Sequence, residues 1–257
     1  MLAAVLCSGS RGNSTLIKSQ NHNILIDAGM NYKYLKEKLG EFNILPEDID
    51  YIFLTHTHKD HIGALKTFIN RHNPTICMGE KMFLELDYLS DYQKIDVIFG
   101  EKDIDTFHVD MIKTSHDAED ARGYVFTENS SSVVYITDTG YIHNKYFSKL
   151  YNKQVYIFES NHDVEMLMHG KYPKWLQTRI LSDKGHLSNQ ASAFYLSRLI
   201  GPNTKQVILA HLSHENNTEE IALSTLKQTL KENNIQFNNI DIAKQTETTK
   251  GVLEPVL

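Results

Sequence analysis

Short apolar segments rich in β-branched and aromatic residues recur along the chain and are separated by polar turns. Segments of this length and composition are typical of β-strands. They predict strands at Leu2 to Leu6, Ser14 to Lys18, His22 to Asp27, Asp50 to Thr55, Pro74 to Met78, Asp96 to Phe99, Phe107 to Lys113, Gly123 to Thr127, Val133 to Thr137, Val155 to Glu159 and Gln206 to Ala210. The pattern therefore predicts a fold built on β-sheets.

Apolar residues at helical spacing appear between and after these strands. They predict helices at Asn31 to Leu39, His61 to Ile69, Asn189 to Ile200 and Asn217 to Lys231. Asn217, followed three residues later by Glu220, resembles a capping box at the start of the last helix. Two β-rich halves that each finish in helices favour two sheets packed face to face with helices outside. Because no repeat or linker divides the chain, we expect one domain over residues 1–257.

Composition narrows the class of protein. With 41% hydrophobic residues the chain can bury a substantial core, which excludes disorder as its dominant state. The formal charge of −6 argues against broad nonspecific adhesion to nucleic acid, although bound divalent cations would return positive charge where a phosphate docks. Cys7 and Cys77 lie in apolar strand segments, so we expect no disulfide and a cytoplasmic protein. No apolar stretch has the length of a signal peptide or a membrane span.

The run Thr55-His-Thr-His-Lys-Asp-His61 places three imidazoles and a carboxylate between a predicted strand and a predicted helix. Side chains two residues apart near a strand end point the same way, so His56 and His58 can bind one cation. Asp60 and His61, one turn further on, can reach a second cation. The alternative is a histidine-rich surface turn, but packing alone does not account for so dense a set of metal ligands. The sequence therefore predicts half of a two-metal site.

The remaining ligands of such a site should be His or Asp at later strand ends. His116, Asp138 and His211 each follow a predicted strand closely. Asp138 is the natural carboxylate to bridge two cations, and Asp27 is expected to orient a ligand imidazole or the metal-bound water. Each has a simpler alternative, because a strand-end Asp often caps a turn and a lone His is more often a satisfied polar residue. Five further histidines are interpreted as surface or structural residues: His22, His72, His108, His143 and His214.

His-x-His-x-Asp-His at 56–61, with Asp27 before it and the three later strand-end residues after it, resembles the five-motif signature of the metallo-β-lactamase superfamily. The resemblance covers essentially the whole chain and implies a four-layer αββα sandwich. It implies that the ligands of one divalent cation are His56, His58, His116 and Asp138. It implies that the ligands of the other are Asp60, His61, Asp138 and His211. Zinc and manganese both suit such imidazole-rich sites.

Five segments are similar to the YycJ/WalJ branch of this superfamily in particular. They are Cys7 to Thr15, Ile136 to Tyr141, Phe158 to Leu167, Leu181 to Asn189 and Leu209 to Asn217. Members of the branch are regarded as bacterial metal-dependent hydrolases with DNA exonuclease activity. The resemblance therefore implies DNA as the substrate.

The stretch from His186 to His211 is also similar to the end of the tRNA 3′-processing endonucleases, in which a Glu pairs with a His that binds no metal. The matching residues here are Glu159 and His186, and Asp183 could replace Glu159. A His held by a carboxylate can supply the proton that a leaving alkoxide needs. The alternative is that His186 merely opens a helix and takes no part in chemistry.

The proposed chemistry follows from two cations held close together. Such a pair lowers the pKa of a shared water toward neutrality, so that hydroxide is available as the nucleophile at physiological pH. Asp60 would orient this water and take its proton. The sequence thus predicts Asp60, Glu159 and His186 as catalytic residues.

Two segments offer substrate contacts. The loop from Ser8 to Asn13 could bind a phosphate, although a Ser/Gly loop is often only a turn. The segment 161–183 places basic residues around Trp175, which could stack a base or, alternatively, lie in the core. The candidate contact residues are Ser10, Arg11, Asn13, Lys174 and Arg179.

The interpretation that fits best is a dinuclear phosphodiesterase acting as a DNA 5′-to-3′ exonuclease. The alternative is the same chemistry on cyclic nucleotides or other small phosphodiesters. Thioester or lactam hydrolysis is less favoured because relatives with those activities do not need the Glu159 and His186 pair. A metal-bearing regulatory protein is disfavoured because a structural metal site is normally closed and mononuclear. A homodimer is one candidate assembly.

Overall fold

Two seven-stranded β-sheets share one core in the computed structural model, which describes residues 1–251. The first sheet consists of β1 (Leu2–Cys7), β2 (Ser14–Lys18), β3 (Asn23–Ile26), β4 (Tyr51–Phe53), β5 (Thr75–Met78), β6 (Ile95–Val97) and β14 (Thr249–Lys250). The spatial order is β14-β1-β2-β3-β4-β5-β6. Strands β1 to β3 are antiparallel, whereas β3 to β6 are parallel and end at the same edge.

The second sheet repeats this organisation. It consists of β7 (Glu101–Ile104), β8 (Phe107–Lys113), β9 (Arg122–Glu128), β10 (Ser131–Ile136), β11 (Val155–Glu159), β12 (Gln206–Ala210) and β13 (Ile240–Ile242). The spatial order is β13-β12-β11-β10-β9-β8-β7. Strands β7 to β10 are antiparallel, and β10 to β13 are parallel.

The helices form the outer layers. They are α1 (Tyr32–Gly40), α2 (Lys59–Ile62), α3 (Leu65–His72), α4 (Glu80–Glu85), α5 (Phe147–Leu150), α6 (Val164–His169), α7 (Lys174–Leu181), α8 (Asn189–Leu199) and α9 (Glu219–Glu232). Helices α1, α3 and α4 pack on the first sheet, and α5, α8 and α9 pack on the second. The αββα sandwich predicted from the sequence is therefore confirmed.

Burial of apolar side chains between the two sheets holds the sandwich together. Phe53 of β4 is fully buried and meets Tyr124 and Phe126 of β9 edge to face, with ring centroids 5.3 and 5.1 Å away. Cys7 and Cys77 are buried free thiols in β1 and β5, as predicted. This shared core agrees with a single domain over 1–257, which stays a prediction because residues 252–257 lie outside the described part of the chain.

The predicted helix from His61 to Ile69 is wrong in one respect, since the structure breaks it into α2 and α3. The backbone N–H of Ala64 donates to the carbonyl of Ala28 at 2.8 Å, and the carbonyl of Asp60 accepts from the N–H of Asn13 at 2.8 Å. The helical bond that would join Ala64 to Asp60 is therefore replaced by two long-range bonds. These bonds tie the metal-binding motif to the first sheet.

The predicted capping box at Asn217 is also wrong. Helix α9 begins after Thr218, whose hydroxyl accepts from the N–H of Ile221 at 3.1 Å. Asn217 is buried instead, and its side-chain amide donates to the carbonyls of Ser160 and Asn161 at 2.9 and 3.1 Å. Asn217 thus joins α9 to the turn after β11 rather than capping the helix.

The position of the cap has a measurable consequence. Thr218→Ala should lower the free energy of unfolding by about 1 kcal/mol, because the first turn of α9 loses a side-chain acceptor. Glu220→Ala is the matched control and should cost only about 0.3–0.5 kcal/mol through the helix dipole. Chemical denaturation of both variants checks this, and a larger loss for Glu220→Ala would contradict the assignment.

No helix within residues 1–251 combines the length and the apolar character needed to cross a membrane.

Candidate metal centre

All the predicted ligands lie at the carboxyl ends of strands, along one edge of the sandwich. The 56–61 motif follows β4, His116 follows β8, Asp138 follows β10 and His211 follows β12. Asp27 directly follows β3. Proteins with parallel strands usually bind small molecules and ions at this edge of the sheet, because the loops there can vary without disturbing the sheet.

The backbone is strained at three of these positions. Asp27, Asp138 and His211 have φ angles of 60°, 56° and 57°, in the left-handed region that residues other than glycine seldom adopt. His211 is held there by its N–H, which donates to the hydroxyl of Ser8 at 2.8 Å. Strain of this kind persists where the surrounding structure fixes it and is common at functional sites.

The structure brings the seven predicted ligands into two adjoining groups. One ligand atom from each of His56, His58 and His116 lies within 4.8 Å of the others. The same holds for Asp60, His61 and His211. Asp138 forms a similar group with His56 and His61, so its carboxylate stands between the two sets, as a bridging ligand would.

Hydrogen bonds to the Nδ1 atoms turn the opposite edge of several imidazoles toward the centre. Nδ1 of His61 donates to Asp27 at 2.7 Å, and Nδ1 of His211 lies 3.0 Å from an oxygen of Glu159. Nδ1 of His56 lies 3.0 Å from the hydroxyl of Thr55, which itself donates to Asp27 at 2.8 Å. Such partners fix the tautomer and orientation of metal-binding histidines. The predicted role of Asp27 beside a ligand imidazole agrees with this geometry.

Three buried polar atoms at the centre have no hydrogen-bond partner within the described chain: Nε2 of His56, Oδ2 of Asp138 and Nε2 of His211. Leaving such atoms unpaired is costly, so natural proteins rarely do so without a ligand. Imidazole nitrogens and carboxylate oxygens are the donors that divalent transition metals prefer. The residues present therefore fit two divalent cations.

The two ligand groups differ in charge when no cation is bound. Burial lowers the pKa of His61 and of His211, but neighbouring carboxylates outweigh burial and raise these pKa values to about 9 and about 10. Burial lowers the pKa of His56 and His116 below the usual value, with help from nearby imidazoles. At neutral pH without metal, His61 and His211 are therefore positively charged imidazolium ions. His56 and His116 are neutral and can bind a cation without first losing a proton.

This difference predicts unequal proton release on metal binding. Loading the group of Asp60, His61 and His211 at pH 7 should release about two protons, because a metal can bind only the deprotonated imidazoles. The affinity of this group should rise with pH up to about 9 to 10, the raised pKa values of its histidines. Calorimetric titration of the metal-free protein in buffers of different ionisation enthalpy measures the released protons. Equal, negligible release for both equivalents of metal would contradict the prediction.

His186 and Glu159 meet beside the metal ligands, as predicted. Nδ1 of His186 lies 2.8 Å from Oε1 of Glu159, and the other oxygen of Glu159 accepts from the N–H groups of Thr139 and Leu187 at 2.9 and 3.1 Å. Burial raises the pKa of Glu159, but His186 and His211 outweigh burial and lower it to about 2. Glu159 is thus a negative charge in contact with both His186 and His211, whereas Asp183 is exposed.

A cleft of about 270 Å³ opens over the site. Its lining includes Ser10, Asp60, Asp138, Tyr172, Arg179 and His186. Two predicted substrate residues, Ser10 and Arg179, therefore face it. Arg11 is exposed on the β1–β2 loop outside this lining, and the ammonium of Lys174 lies 3.0 Å from the side-chain oxygen of Gln177.

Two residues contact the predicted metal ligands in ways that the sequence did not indicate. Asn13, expected to contact substrate, is fully buried, and its amide donates to Asp60 at 3.3 Å and lies 3.0 Å from Nε2 of His61. Asp117 lies 3.2 Å from Nε2 of His116 and accepts from Nε of Arg179 at 2.5 Å. Its position directly after a ligand histidine is the signal that could have identified it.

One further cluster with metal-binding residue types is occupied by a lysine. Glu101, His108 and Asp110 lie close together, but the ammonium of Lys149 is 2.7 Å from Glu101 and 2.5 Å from Asp110. This agrees with the interpretation of His108 as a structural residue. His22 likewise packs edge to face on Tyr51, with ring centroids 5.3 Å apart.

The chain belongs to the metallo-β-lactamase superfamily, whose family model matches residues 8–188, and it is a metal-dependent hydrolase. Exodeoxyribonuclease WalJ of Streptococcus pneumoniae serotype 2 (strain D39) is 35% identical over 261 residues, covering 95% of both chains. Exodeoxyribonuclease YycJ of Bacillus anthracis is 36% identical over 236 residues, covering 89% of both. The predicted resemblance to the YycJ/WalJ branch is confirmed.

Among solved structures, the metallo-β-lactamase fold protein YhfI from Bacillus subtilis has a TM-score of 0.75 at 17% identity. It covers 97% of this chain and 99% of its own length. At this identity the likeness concerns the fold.

Proposed function

We propose that this hydrolase is a dinuclear metal-dependent exonuclease that removes nucleotides from the 5′ end of DNA. The similarity to two exodeoxyribonucleases over 89–95% of the chain carries the proposal. The site supports it, because two ligand groups, an aspartate between them and a histidine–glutamate pair adjoin one open cleft. A cytoplasmic location and a homodimer stay predictions.

Two divalent cations, Zn²⁺ or Mn²⁺, would be held by the two ligand groups and shared through Asp138. When bound, they supply an activated water nucleophile and neutralise charge on the phosphoryl oxygens. Asp60 lines the cleft, which supports a role for its carboxylate in orienting the attacking water and accepting its proton. Asn13 holds the Asp60 carboxylate through its amide.

His186 would act on the leaving group. Because Nδ1 of His186 is bound to Glu159, its Nε2 is free to donate a proton to the departing 3′ oxygen of the nucleotide. Glu159 stays ionised because its pKa is lowered, so it can accept the hydrogen bond from Nδ1 that orients the ring. The pair is therefore proposed as the general acid and its orienting carboxylate.

Helix α7 is proposed to guide the DNA strand into the cleft. Trp175 is 68% exposed, which overturns the alternative that it lies in the core. Arg179, one helical turn further on, lines the cleft and is held by Asp117. An exposed indole beside a guanidinium can stack on a base while the cation contacts the backbone.

Hydrolysis of cyclic nucleotides is the competing activity, and the identified relatives do not favour it. A side-by-side assay with metal, labelled duplex DNA and a panel of cyclic nucleotides separates the two. We expect DNA hydrolysis that is lost in Asp60→Ala, together with DNA binding that persists in this variant and weakens strongly with salt. Cleavage of only the cyclic nucleotides would keep the metal centre and overturn the DNA assignment.

A further inference from the structure

A second pocket, of about 220 Å³, is lined by segments that adjoin two predicted metal ligands in the chain, and it is not used in the proposed reaction. Its walls include Lys113, Ser115, Tyr141, His143, Lys145 and Tyr146. The pocket is therefore built from the end of β8 and from the loop that follows β10. These are the two segments that also supply His116 and Asp138.

Hydrogen bonds fix the pocket relative to the ligands. The N–H of Gly140 donates to the carbonyl of Ser115 at 2.9 Å, and the N–H of Ser115 donates to the hydroxyl of Thr139 at 3.0 Å. The same hydroxyl donates to the carbonyl of Tyr141 at 2.7 Å. Since Ser115 directly precedes His116 and Thr139 directly follows Asp138, the pocket cannot move far without moving the ligands.

The pocket is positively charged in a protein whose net charge is −6. Lys113, His143 and Lys145 line it, and no Asp or Glu among residues 1–251 does. Within residues 1–251, neither Lys113 nor Lys145 has a carboxylate at ion-pair distance, whereas the nearby Lys81 and Lys149 are each paired with one. Two ammonium groups that line one pocket without a direct ion pair favour an anionic ligand.

Aromatic rings accompany these charges. Tyr141 is 41% exposed at the pocket, and the ammonium of Lys145 lies 4.9 Å from the ring centroid of Tyr146. Large side chains exposed beside cations are suited to stacking on a base whose phosphate is held by the lysines. An acidic peptide would use the lysines but would leave Tyr141 without a stacking partner.

We propose that this pocket binds the nucleotide adjacent to the scissile one, with Lys113 and Lys145 contacting its phosphate and Tyr141 stacking on its base. The proposal rests on the DNA substrate proposed above and specifies a second contact point on the same strand. Contacts of this kind carry no sequence specificity, because every nucleotide offers a phosphate and a flat base. The pocket would thus hold the strand in register after each nucleotide is removed.

The test uses variants that change charge equally at two places. Lys113→Ala/Lys145→Ala removes the pocket lysines, and Lys33→Ala/Lys36→Ala removes two exposed lysines from α1 on the other outer layer. Binding of single-stranded DNA is measured against salt in the Asp60→Ala background, where the strand is not cut. We expect the slope of log affinity against log salt to fall by about 1 for each pocket lysine and to stay unchanged in the α1 variant. Tyr141→Ala should weaken binding roughly tenfold with little change in slope.

Hydrolysis of bis(p-nitrophenyl) phosphate shows whether the site is intact, because this ester carries no neighbouring nucleotide that could occupy the pocket. Its rate should stay within about twofold in the pocket variants with Asp60 present, and Lys113→Arg/Lys145→Arg should restore the salt slope. Equal slopes and affinities for the pocket and α1 variants would overturn the subsite. A wild-type protein that cleaves this ester but neither binds nor cuts DNA would overturn the proposed function, and the subsite with it.

Discussion

Replacing Asp138 with alanine should lower the rate of DNA hydrolysis by about 10³-fold or more, because both ligand groups lose their shared carboxylate. Oδ2 of Asp138 is buried, has no hydrogen-bond partner within residues 1–251 and lies 3.4 Å from Nε2 of His61, while Oδ1 lies 3.5 Å from Nε2 of His211. Metal content should fall below two equivalents in the same variant. Metal analysis and the rate of nucleotide release measure the two effects.

Asp138→Asn separates charge from shape. Asparagine tolerates the left-handed backbone at this position and occupies nearly the same space, so the fold should be preserved. Its neutral amide is a poor bridging ligand, so we expect a loss of activity close to that of alanine. Activity within tenfold of the wild-type rate for either variant would show that Asp138 is not shared between two cations.

Replacing His186 with alanine should lower the rate of DNA hydrolysis by about 10²- to 10⁴-fold, the usual range for loss of a general acid. The leaving oxygen of a nucleotide needs a proton, whereas p-nitrophenolate leaves without one. The same variant should therefore hydrolyse bis(p-nitrophenyl) phosphate at a rate near that of the wild type. Parallel rate measurements on the two substrates check this prediction.

Substitutions at two acidic residues, Glu159 and Asp183, serve as controls for the His186→Ala variant. Glu159→Gln removes the charge 2.8 Å from His186 and should show the same difference between substrates, although less strongly. Asp183→Asn changes an exposed carboxylate and should leave both rates within about twofold, as surface changes away from a site usually do. Equal losses on DNA and on the nitrophenyl ester would assign His186 a structural role.

The clustering of the candidate metal ligands could be predicted from the sequence because its signals are local. A dense histidine motif and single His or Asp residues at strand ends remain visible without any knowledge of packing. The position of Asp27 was also accessible, since it follows an apolar strand at the same edge. Glu159 was identified only through similarity to related enzymes. For His186, similarity to related enzymes was required, because a His before a helix is ambiguous by itself.

The features that were missed depend on contacts between distant segments. The break between α2 and α3 arises because Ala28 and Asn13 take over the hydrogen bonds at Ala64 and Asp60. Thr218, rather than Asn217, caps α9 because Asn217 is needed at the turn after β11. The short strands β7, β13 and β14 carry too few apolar residues to show a pattern, and only pairing with a neighbour defines them.

The most direct measurement compares two duplexes of one sequence, labelled at the 5′ or the 3′ end of the same strand, before and after metal is restored to chelator-treated protein. We expect no reaction without metal. With metal, the 5′ label should appear at once as mononucleotide, while the 3′ label passes through gradually shorter strands. Internal fragments from the first time point, or release that needs no metal, would contradict a metal-dependent 5′ exonuclease.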